Sequence, residues 1–188
     1  MNEKVIPQEV ASSLETDFKL EDSVIFCQVS TIANGMPHVR TVRLYGIENE
    51  YGLIFLTRTT SRKWQDLTSH PHLAICILHP GIHIQLQAEC TTRLVYSDNN
   101  PQLFKKYWSM VKMDVKKIYH DDYVPNVDYQ QGKETDIPTV IPHSFGMIMA
   151  MPHHWEYLLV NDNYPDSIRY QFNKNTQGEW VKLRLTMS

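Results

Sequence analysis

The sequence has no apolar run that could cross a membrane as a helix, since such a run needs about 20 residues and none of that length is present. Its first residues, MNEKVIPQEVASS, have no apolar signal-peptide core. An excess of charge is also missing, because the formal net charge is only −3. We therefore expect a cytoplasmic protein with neither a nucleic-acid nor a membrane partner.

Cysteine is scarce and scattered. Cys27, Cys76 and Cys90 are the three present, and each lies in an apolar or strand-like segment. An odd and widely spaced set predicts buried free thiols rather than a disulfide framework or a zinc site. We therefore predict no metal site.

The 188 residues are 42% hydrophobic and 21% charged, which is typical of one globular domain. We predict a single domain over 1–188. It begins with a helical segment at 1–20 and contains a long polar loop, without periodicity, at 121–142.

Alternating and β-branched segments predict many strands, and Asn34-Gly35 is a strong hairpin signal. The predicted strands are 23–31, 37–46, 52–58, 72–78, 82–95, 144–151, 155–160, 167–172 and 179–185. Helical spacing predicts helices at 7–20, 61–70 and 101–120. Evenly spaced strands with few helices predict a mainly β fold, an antiparallel barrel with peripheral helices.

The segment from His38 to Lys63 is rich in cations and hydroxyls, and it ends in Ser61-Arg62-Lys63 at a predicted helix start. A serine N-cap leaves backbone N–H groups free at the positive end of the helix dipole. With two cations beside them, these donors suit a phosphate dianion. A capped helix with solvated charges explains the triplet equally simply, and the residues alone leave both interpretations open.

Arg40 shares a strand face with apolar Val42 and Leu44. A guanidinium on such a face needs an anion. That anion is either an internal carboxylate or a ligand.

Several segments, taken in order, carry a resemblance to a known family. They are Arg40-Thr41-Val42, Ile54-Phe55-Leu56-Thr57, Ser61-Arg62-Lys63, His70-Pro71-His72-Leu73-Ala74, Gln85-Leu86-Gln87-Ala88-Glu89, Trp155-Glu156-Tyr157, Ser167-Ile168-Arg169-Tyr170 and Trp180-Val181-Lys182-Leu183-Arg184-Leu185. Their order and spacing over roughly 20–188 resemble the FMN-binding split barrel, of antiparallel Greek-key type, of the pyridoxamine 5′-phosphate oxidase family.

The resemblance implies FMN as the cofactor and a homodimer that holds FMN at the subunit interface. It implies that Arg62 and Lys63 hold the phosphate, and that Gln85 and Arg169 lie near the flavin ring. The full implied cofactor set is Arg40, Thr41, Val42, Leu56, Thr57, Ser61, Arg62, Lys63, Gln85 and Arg169. The apolar helix face of Leu103, Tyr107, Val111 and Ile118 is a candidate for the dimer contact.

The chain departs from the family's oxidases where these bind the substrate phosphate. Tyr45 stands in place of a lysine, and Val111 in place of an arginine, while Tyr107 is retained. Val115 replaces a serine, Pro165 and Ser167 replace an arginine and a histidine, and Leu158 replaces a flavin-contacting tryptophan. We take Tyr45, Tyr107 and Val111 as candidate substrate residues.

The first functional hypothesis is an FMN-dependent oxidoreductase that acts on a small molecule less phosphorylated than a B6 vitamer. The catalytic residues stay unassigned, because the flavin itself would carry the chemistry. The alternatives are a flavin- or haem-binding module without turnover, a dimer with an empty site, and a genuine pyridoxamine 5′-phosphate oxidase with a rebuilt site.

Overall fold

The computed structural model describes residues 5–19, 23–79, 81–120, 140–163 and 166–186. Its helices are α1 (Gln8–Thr16), α2 (Arg62–Ser69), α3 (Pro101–Met110) and α4 (Met113–Lys116), followed by a 3-10 turn at Lys117–Tyr119. Its strands are β1 (Ile25–Ala33), β2 (Met36–Leu44), β3 (Gly46–Glu48), β4 (Gly52–Arg58), β5 (His72–His79), β6 (Ile84–Tyr96), β7 (Phe145–Leu159), β8 (Ile168–Lys174) and β9 (Trp180–Leu185).

All nine strands join one antiparallel sheet, so the mainly β prediction is confirmed. The order is β2-β1-β5-β6-β7-β4-β3, with β8 paired to β7 and β9 paired to β8. Within the described ranges the sheet does not close on itself, as the term split barrel implies. None of the described helices is both long and apolar enough to cross a membrane.

Two hydrophobic cores lie on opposite faces of β4 and β7. Since side chains alternate along a strand, Leu53 and Phe55 of β4 enter the first core, whereas Ile54 and Leu56 enter the second. Helices α1 and α2 pack on the first core, and α3 packs on the second through Phe104 and Trp108 in particular. The two cores place α2 and α3 on different sides of the same pair of strands.

Strand β7 is one strand of 15 residues, so the prediction of two strands, 144–151 and 155–160, is wrong. Pro152 pairs with Cys90 and His154 pairs with Glu89, which leaves His153 as the extra residue of a β-bulge. A bulge tolerates a proline that cannot donate to the ladder. The proline therefore bends the strand here without ending it.

The single predicted helix at 101–120 is also wrong. Helix α3 ends at Met110 because Val111 adopts an extended conformation, with φ −74° and ψ 125°. Val111 and Tyr119 are both buried in the second core. The apolar spacing that predicted one helix arises from two helices and a turn packed on the same core.

The remaining sequence predictions can be placed as follows. The three thiols are free, with Cys27 and Cys90 buried and Cys76 half-buried. The first helix ends at Thr16 rather than near residue 20. Most of the predicted 121–142 loop, and Pro165, lie outside the described residues.

Candidate functional site

The loop between β4 and α2 forms the first part of the candidate site. Ser61 caps α2 in an extended conformation, and its hydroxyl accepts a hydrogen bond from the Trp64 backbone N–H at 3.4 Å. The predicted helix start is therefore confirmed. We call Thr57, Ser61, Arg62 and Lys63 the phosphate end.

Lys63 is the central cation of the phosphate end. Its Nζ donates to Thr57 Oγ1 at 2.7 Å, and Thr57 Oγ1 lies 3.0 Å from Ser61 Oγ. Burial lowers the pKa of Lys63, and the nearby charge of Arg40 lowers that pKa further. Among the described residues Lys63 has no carboxylate partner. A half-buried ammonium beside hydroxyls and a helix start is complementary to an anion.

Arg40 pairs with an internal carboxylate. Of the two anions expected beside it, an internal carboxylate or a ligand, the structure therefore shows the carboxylate. Its Nη2 lies 3.0 Å from Asp66 Oδ2, and Nη1 donates to Thr31 Oγ1. Asp66 is 6% exposed and also accepts from Thr31 at 2.5 Å. Burial opposes its ionisation, but hydrogen bonds from Thr31 and Arg40, the neighbouring His38 and the charge of Arg40 outweigh burial and lower the pKa of Asp66.

His38 lies between this carboxylate and Arg62. Arg62 Nη2 lies 3.2 Å from His38 Nε2, whereas His38 Nδ1 is 3.6 Å from Asp66 Oδ2 and makes no hydrogen bond. Arg62 itself is exposed. Asp66 therefore holds Arg40 directly, and Arg62 contacts only the imidazole of His38.

A second group of predicted cofactor residues forms a row across three strands. Gln85 pairs with Leu158, and Leu158 pairs with Arg169. Arg169 Nη2 bonds Glu156 Oε2 at 2.7 Å, and Gln171 donates to Glu156 Oε1 at 2.9 Å. Burial raises the pKa of Glu156, but these hydrogen bonds and the neighbouring positive charges outweigh it, so that the pKa is lowered. Arg169 is thus oriented by an ionised carboxylate.

The row and the phosphate end are far apart in one chain. Thr57 pairs with Gly146 near the start of β7, whereas Gln85 pairs with Leu158 near its end. The strand between these points measures roughly 40 Å at about 3.3 Å per residue. One FMN molecule does not span that length. The two groups of one chain therefore lie towards opposite ends of β7.

A cavity of about 780 Å³ lies between α1, the β2–β3 corner and α3. Tyr45 and Tyr107 both line it, together with Arg43 and Lys106. Glu48, next to the cavity, accepts from Tyr107 Oη at 2.8 Å and from Lys106 Nζ at 2.6 Å. Two of the three predicted substrate residues are therefore brought together.

The third, Val111, does not line this cavity, because it is buried in the second core. The predicted dimer face on α3 is likewise used within the chain. Tyr107 and Val111 are buried there, and Leu103 and Ile118 pack against the same core half-buried. Tyr107 and Val111 therefore have no free surface for a subunit contact, whereas Leu103 and Ile118 keep part of theirs.

The other predicted cofactor residues lie on β2 and β4. Thr41 is exposed on the outer face, Val42 packs against the first core, and Leu56 is buried in the second core. Sequence reasoning missed Asp66, His38, Arg43, Glu48 and Glu156. A buried Asp in a polar helix has no sequence signal, but Glu156 lies in the quoted Trp-Glu-Tyr segment.

Comparison with known proteins identifies the protein family of this chain. The family model described as pyridoxamine 5′-phosphate oxidase matches residues 17–133, more than half of the chain. The chain therefore belongs to the pyridoxamine 5′-phosphate oxidase family.

Individual relatives agree with this assignment. The pyridoxine/pyridoxamine 5′-phosphate oxidase of Salinibacter ruber is 25% identical over 180 residues, which cover 90% of this chain and 82% of that protein. The enzyme of Chromohalobacter salexigens is 21% identical over 177 residues, covering 90% and 81%.

Two solved structures share the fold. A pyridoxamine 5′-phosphate oxidase-related, FMN-binding protein from Nostoc punctiforme has a TM-score of 0.75 at 20% identity, with 95% of each chain covered. PhzG from Burkholderia lata, solved in complex with tetrahydrophenazine-1-carboxylic acid, has a TM-score of 0.70 at 16% identity, with 95% of this chain and 90% of PhzG covered.

Proposed function

We propose that this protein binds FMN, with the phosphate at Thr57, Ser61, Arg62 and Lys63, and acts as an FMN-dependent oxidoreductase. The observation that carries the proposal is Lys63, a half-buried cation with hydroxyl partners at a helix start. A dianionic phosphate would supply the missing negative charge and accept from the free N–H groups of α2. The flavin would supply the electron chemistry, while the protein binds and orients it.

The phosphate end fits FMN better than it fits a neutral flavin. Arg40 and Asp66 largely compensate each other at 3.0 Å. The positive charges of Arg62 and Lys63 stay without a carboxylate partner among the described residues. Together they match the charge of a phosphate dianion. Membership in a family whose relatives include a protein described as FMN-binding supports the same assignment.

The site is completed by a second copy of the chain. Because the row of Gln85 and Arg169 lies far along β7 from the phosphate end, each FMN would take its phosphate contacts from one subunit and its row contacts from the other. The outer face of β1, β2 and β5 exposes apolar side chains that a partner would cover, including Phe26, Val39 and Leu78 at 60, 67 and 54%. This outer face replaces α3 as the proposed contact.

Oligomeric state tests that part of the proposal. Sedimentation of the FMN-loaded protein at micromolar concentration should give twice the chain mass of 22.0 kDa. Phe26→Glu on the outer face should shift the protein toward monomer and release FMN. Met113→Glu, at a comparably exposed apolar residue of α4, is the control. A monomer that retains FMN would contradict the two-chain site.

The substrate is proposed to be less charged than a phosphorylated B6 vitamer. Tyr45 stands where the oxidases resembled above have a lysine, and Val111 is buried away from the cavity. Losing two charge-assisted contacts of about 1.5–3 kcal/mol each removes roughly 10²–10⁴ in affinity. Lys106 cannot replace them freely, because it is paired with Glu48.

Two measurements test the activity. The purified protein should be yellow and release FMN, and a nicotinamide donor should bleach the flavin, with recovery in air. A yellow protein that no donor bleaches would favour a carrier module, a Soret band would favour haem, and a colourless protein that ignores added FMN would favour an empty site.

Pyridoxine and pyridoxamine 5′-phosphate should be poor substrates for the FMN-loaded protein. The assay is pyridoxal phosphate formation in the presence of oxygen. Turnover comparable to that of a genuine oxidase, with micromolar substrate affinity, would show instead that the phosphate site has been rebuilt from other residues.

A further inference from the structure

The cavity contains a cation that the predicted site did not include. Arg43 lies on the outer face of β2, and its guanidinium carbon stands 4.4 Å above the centre of the Tyr45 ring. Its Nε is buried without a hydrogen-bond partner. Among the described residues no carboxylate pairs with Arg43. A guanidinium that lines a cavity in this state is complementary to an anionic ligand group.

We propose that Arg43 binds the carboxylate of a planar aromatic monoanion, whose ring system occupies the cavity beside Tyr45 and Tyr107. The proposal rests on the proposed function for its role, since it names the substrate class of that oxidoreductase. Arg43 would then contact the anionic group of the substrate. The family's oxidases use a lysine and an arginine for this contact, at the positions that Tyr45 and Val111 occupy here.

The charges around the cavity limit the ligand to a single negative charge. Lys106 is the other cation on the wall, and its Nζ is 2.6 Å from Glu48 Oε1. Glu15 of α1 also lines the cavity, so the charges of Arg43, Lys106, Glu48 and Glu15 sum to zero. Arg43 is the cation of this set without a carboxylate contact among the described residues, and a single carboxylate on the ligand would supply one. A phosphate dianion would leave a charge unpaired and would meet the repulsion of two nearby carboxylates.

Geometry also favours a carboxylate over a point-like anion. A guanidinium presents its N–H groups in a planar fork, which matches the two oxygens of a carboxylate. The guanidinium carbon lies 4.4 Å from the centre of the Tyr45 ring. This cation–π contact holds the guanidinium at the cavity wall.

The rest of the wall is partly apolar. Leu44, Ile47 and Met110 line the cavity beside the two tyrosines, whereas Gln8, Ser12 and Asn49 add polar groups. A flat ring system can contact the apolar part while its substituents meet the polar part. The Tyr107 hydroxyl is occupied by Glu48, and burial, together with this hydrogen bond and the charge of Glu48, raises its pKa far above the ordinary tyrosine value. It stays a neutral donor to Glu48, which leaves the ring edge to contact the ligand.

Three naphthalene probes that differ in one substituent test the assignment. They are 2-naphthoate, which is a monoanion, 2-naphthamide, which is neutral, and 2-naphthyl phosphate, which is a dianion at neutral pH. Binding is measured by titration calorimetry on the full chain, with and without FMN. We expect 2-naphthoate to bind at least tenfold more tightly than either of the other two.

Arg43→Gln is the diagnostic variant, and Arg93→Gln, at an exposed arginine of β6, is its matched control. One charge-assisted contact of about 1.5–3 kcal/mol corresponds to roughly 10- to 150-fold. Arg43→Gln should weaken 2-naphthoate by that factor and leave 2-naphthamide unchanged. Arg93→Gln should change neither. A melting temperature near that of the wild type will show that Arg43→Gln is folded.

Each outcome has a definite meaning. Equal affinity for 2-naphthoate and 2-naphthamide, a preference for 2-naphthyl phosphate, or wild-type 2-naphthoate affinity in Arg43→Gln would overturn the assignment. Arg43-dependent 2-naphthoate binding by a protein that ignores FMN would support the anion site and refute the proposed function. FMN binding by a protein with equal affinity for all three probes would refute the anion site and support the proposed function.

Discussion

The phosphate end and the cavity hold positive charge in different ways. At the phosphate end, one buried carboxylate, Asp66, orients Arg40, Arg62 contacts His38, and Lys63 has hydroxyl partners. In the cavity, Lys106 is paired with Glu48, and Arg43 is a cation without a carboxylate partner among the described side chains. The first region suits a dianion, and the second suits a monoanion.

The two regions also differ in how the chain builds them. The phosphate end comes from one continuous segment of seven residues, 57–63, which runs from the end of β4 to the start of α2, with Asp66 one turn further on. The cavity wall comes from α1, the β2–β3 corner and α3. A short segment fixes the relative positions of its side chains by local geometry, whereas the cavity depends on three elements packing correctly. Substitutions should therefore affect the two regions independently.

The largest expected effect is on FMN affinity in Lys63→Gln. This variant removes a half-buried charge whose contact with a phosphate would contribute about 1.5–3 kcal/mol, or roughly 10- to 150-fold. Equilibrium titration of FMN-free protein followed by flavin fluorescence gives the affinity. Riboflavin, which has no phosphate, is the control and should bind both proteins equally. An equal loss for both flavins would mean that Lys63 does not contact the phosphate.

Two glycine substitutions, with the next largest effects, should each weaken the ligand of one region only. A Cβ on Gly146 would lie 2.5 Å from Trp64 Cζ3, beside the phosphate end. Since Trp64 is buried in the first turn of α2, Gly146→Ala should displace that turn and weaken FMN binding. Overpacking of this kind costs about 1–3 kcal/mol of unfolding free energy. Binding of 2-naphthoate should be unchanged.

Gly46→Ala should have the opposite pattern. A Cβ there would lie 2.6 Å from Tyr107 Oη, so the ring and its hydrogen bond to Glu48 must move. We expect a similar loss of unfolding free energy, weaker 2-naphthoate binding, and unchanged FMN affinity. Chemical denaturation gives the stabilities. If either alanine variant weakened both ligands equally, the two regions would be one coupled site.

The contrast between the regions explains what the sequence could predict. Ser61, Arg62 and Lys63 are adjacent in sequence, so capping rules predicted correctly that they lie at a helix start. The role of Asp66 was not predicted, because the sequence of a short helix does not show which of its polar residues faces β1 and β2. Arg43 was overlooked because its neighbours in the cavity include α1 and α3, which are remote in sequence.

The errors in secondary structure have the same cause. Pro152 signalled a break between two strands, but pairing along both edges of β7 keeps the strand continuous and the bulge at His153 absorbs the irregularity. Val111 fitted a helical period, but the second core takes it in an extended conformation. In both cases tertiary packing overrides a local signal.

Arg62→Ala should have a smaller effect on FMN affinity than Lys63→Gln. Arg62 is exposed, so water competes for the phosphate contact and the contribution is reduced. We expect about a tenfold loss, near 1.4 kcal/mol. The loss should shrink further at high salt, because screening acts mainly on exposed charges. A larger loss than in Lys63→Gln would mean that the exposed cation is the principal phosphate ligand.

The smallest effect is a pH dependence of FMN affinity, and its sign follows from Lys63. Burial and the charge of Arg40 lower the pKa of Lys63 in the free protein, and a bound phosphate would raise that pKa. FMN binding would therefore be strongest where Lys63 is protonated in both states. It should weaken as pH rises through the lowered pKa, by at most about tenfold per pH unit for one proton.

A control and a rescue variant complete this test. Riboflavin affinity should stay flat over the same alkaline range, because no phosphate is present to shift the pKa of Lys63. Lys63→Arg should remove the alkaline loss of FMN affinity, since a guanidinium stays charged throughout. If FMN affinity were instead constant in the wild type and in Lys63→Arg up to the ordinary lysine pKa, Lys63 would already be stabilised as a cation in the free protein. The phosphate would then depend on Arg62 and the N–H groups of α2, and the charge difference between the two regions would be smaller than the contacts of Lys63 indicate.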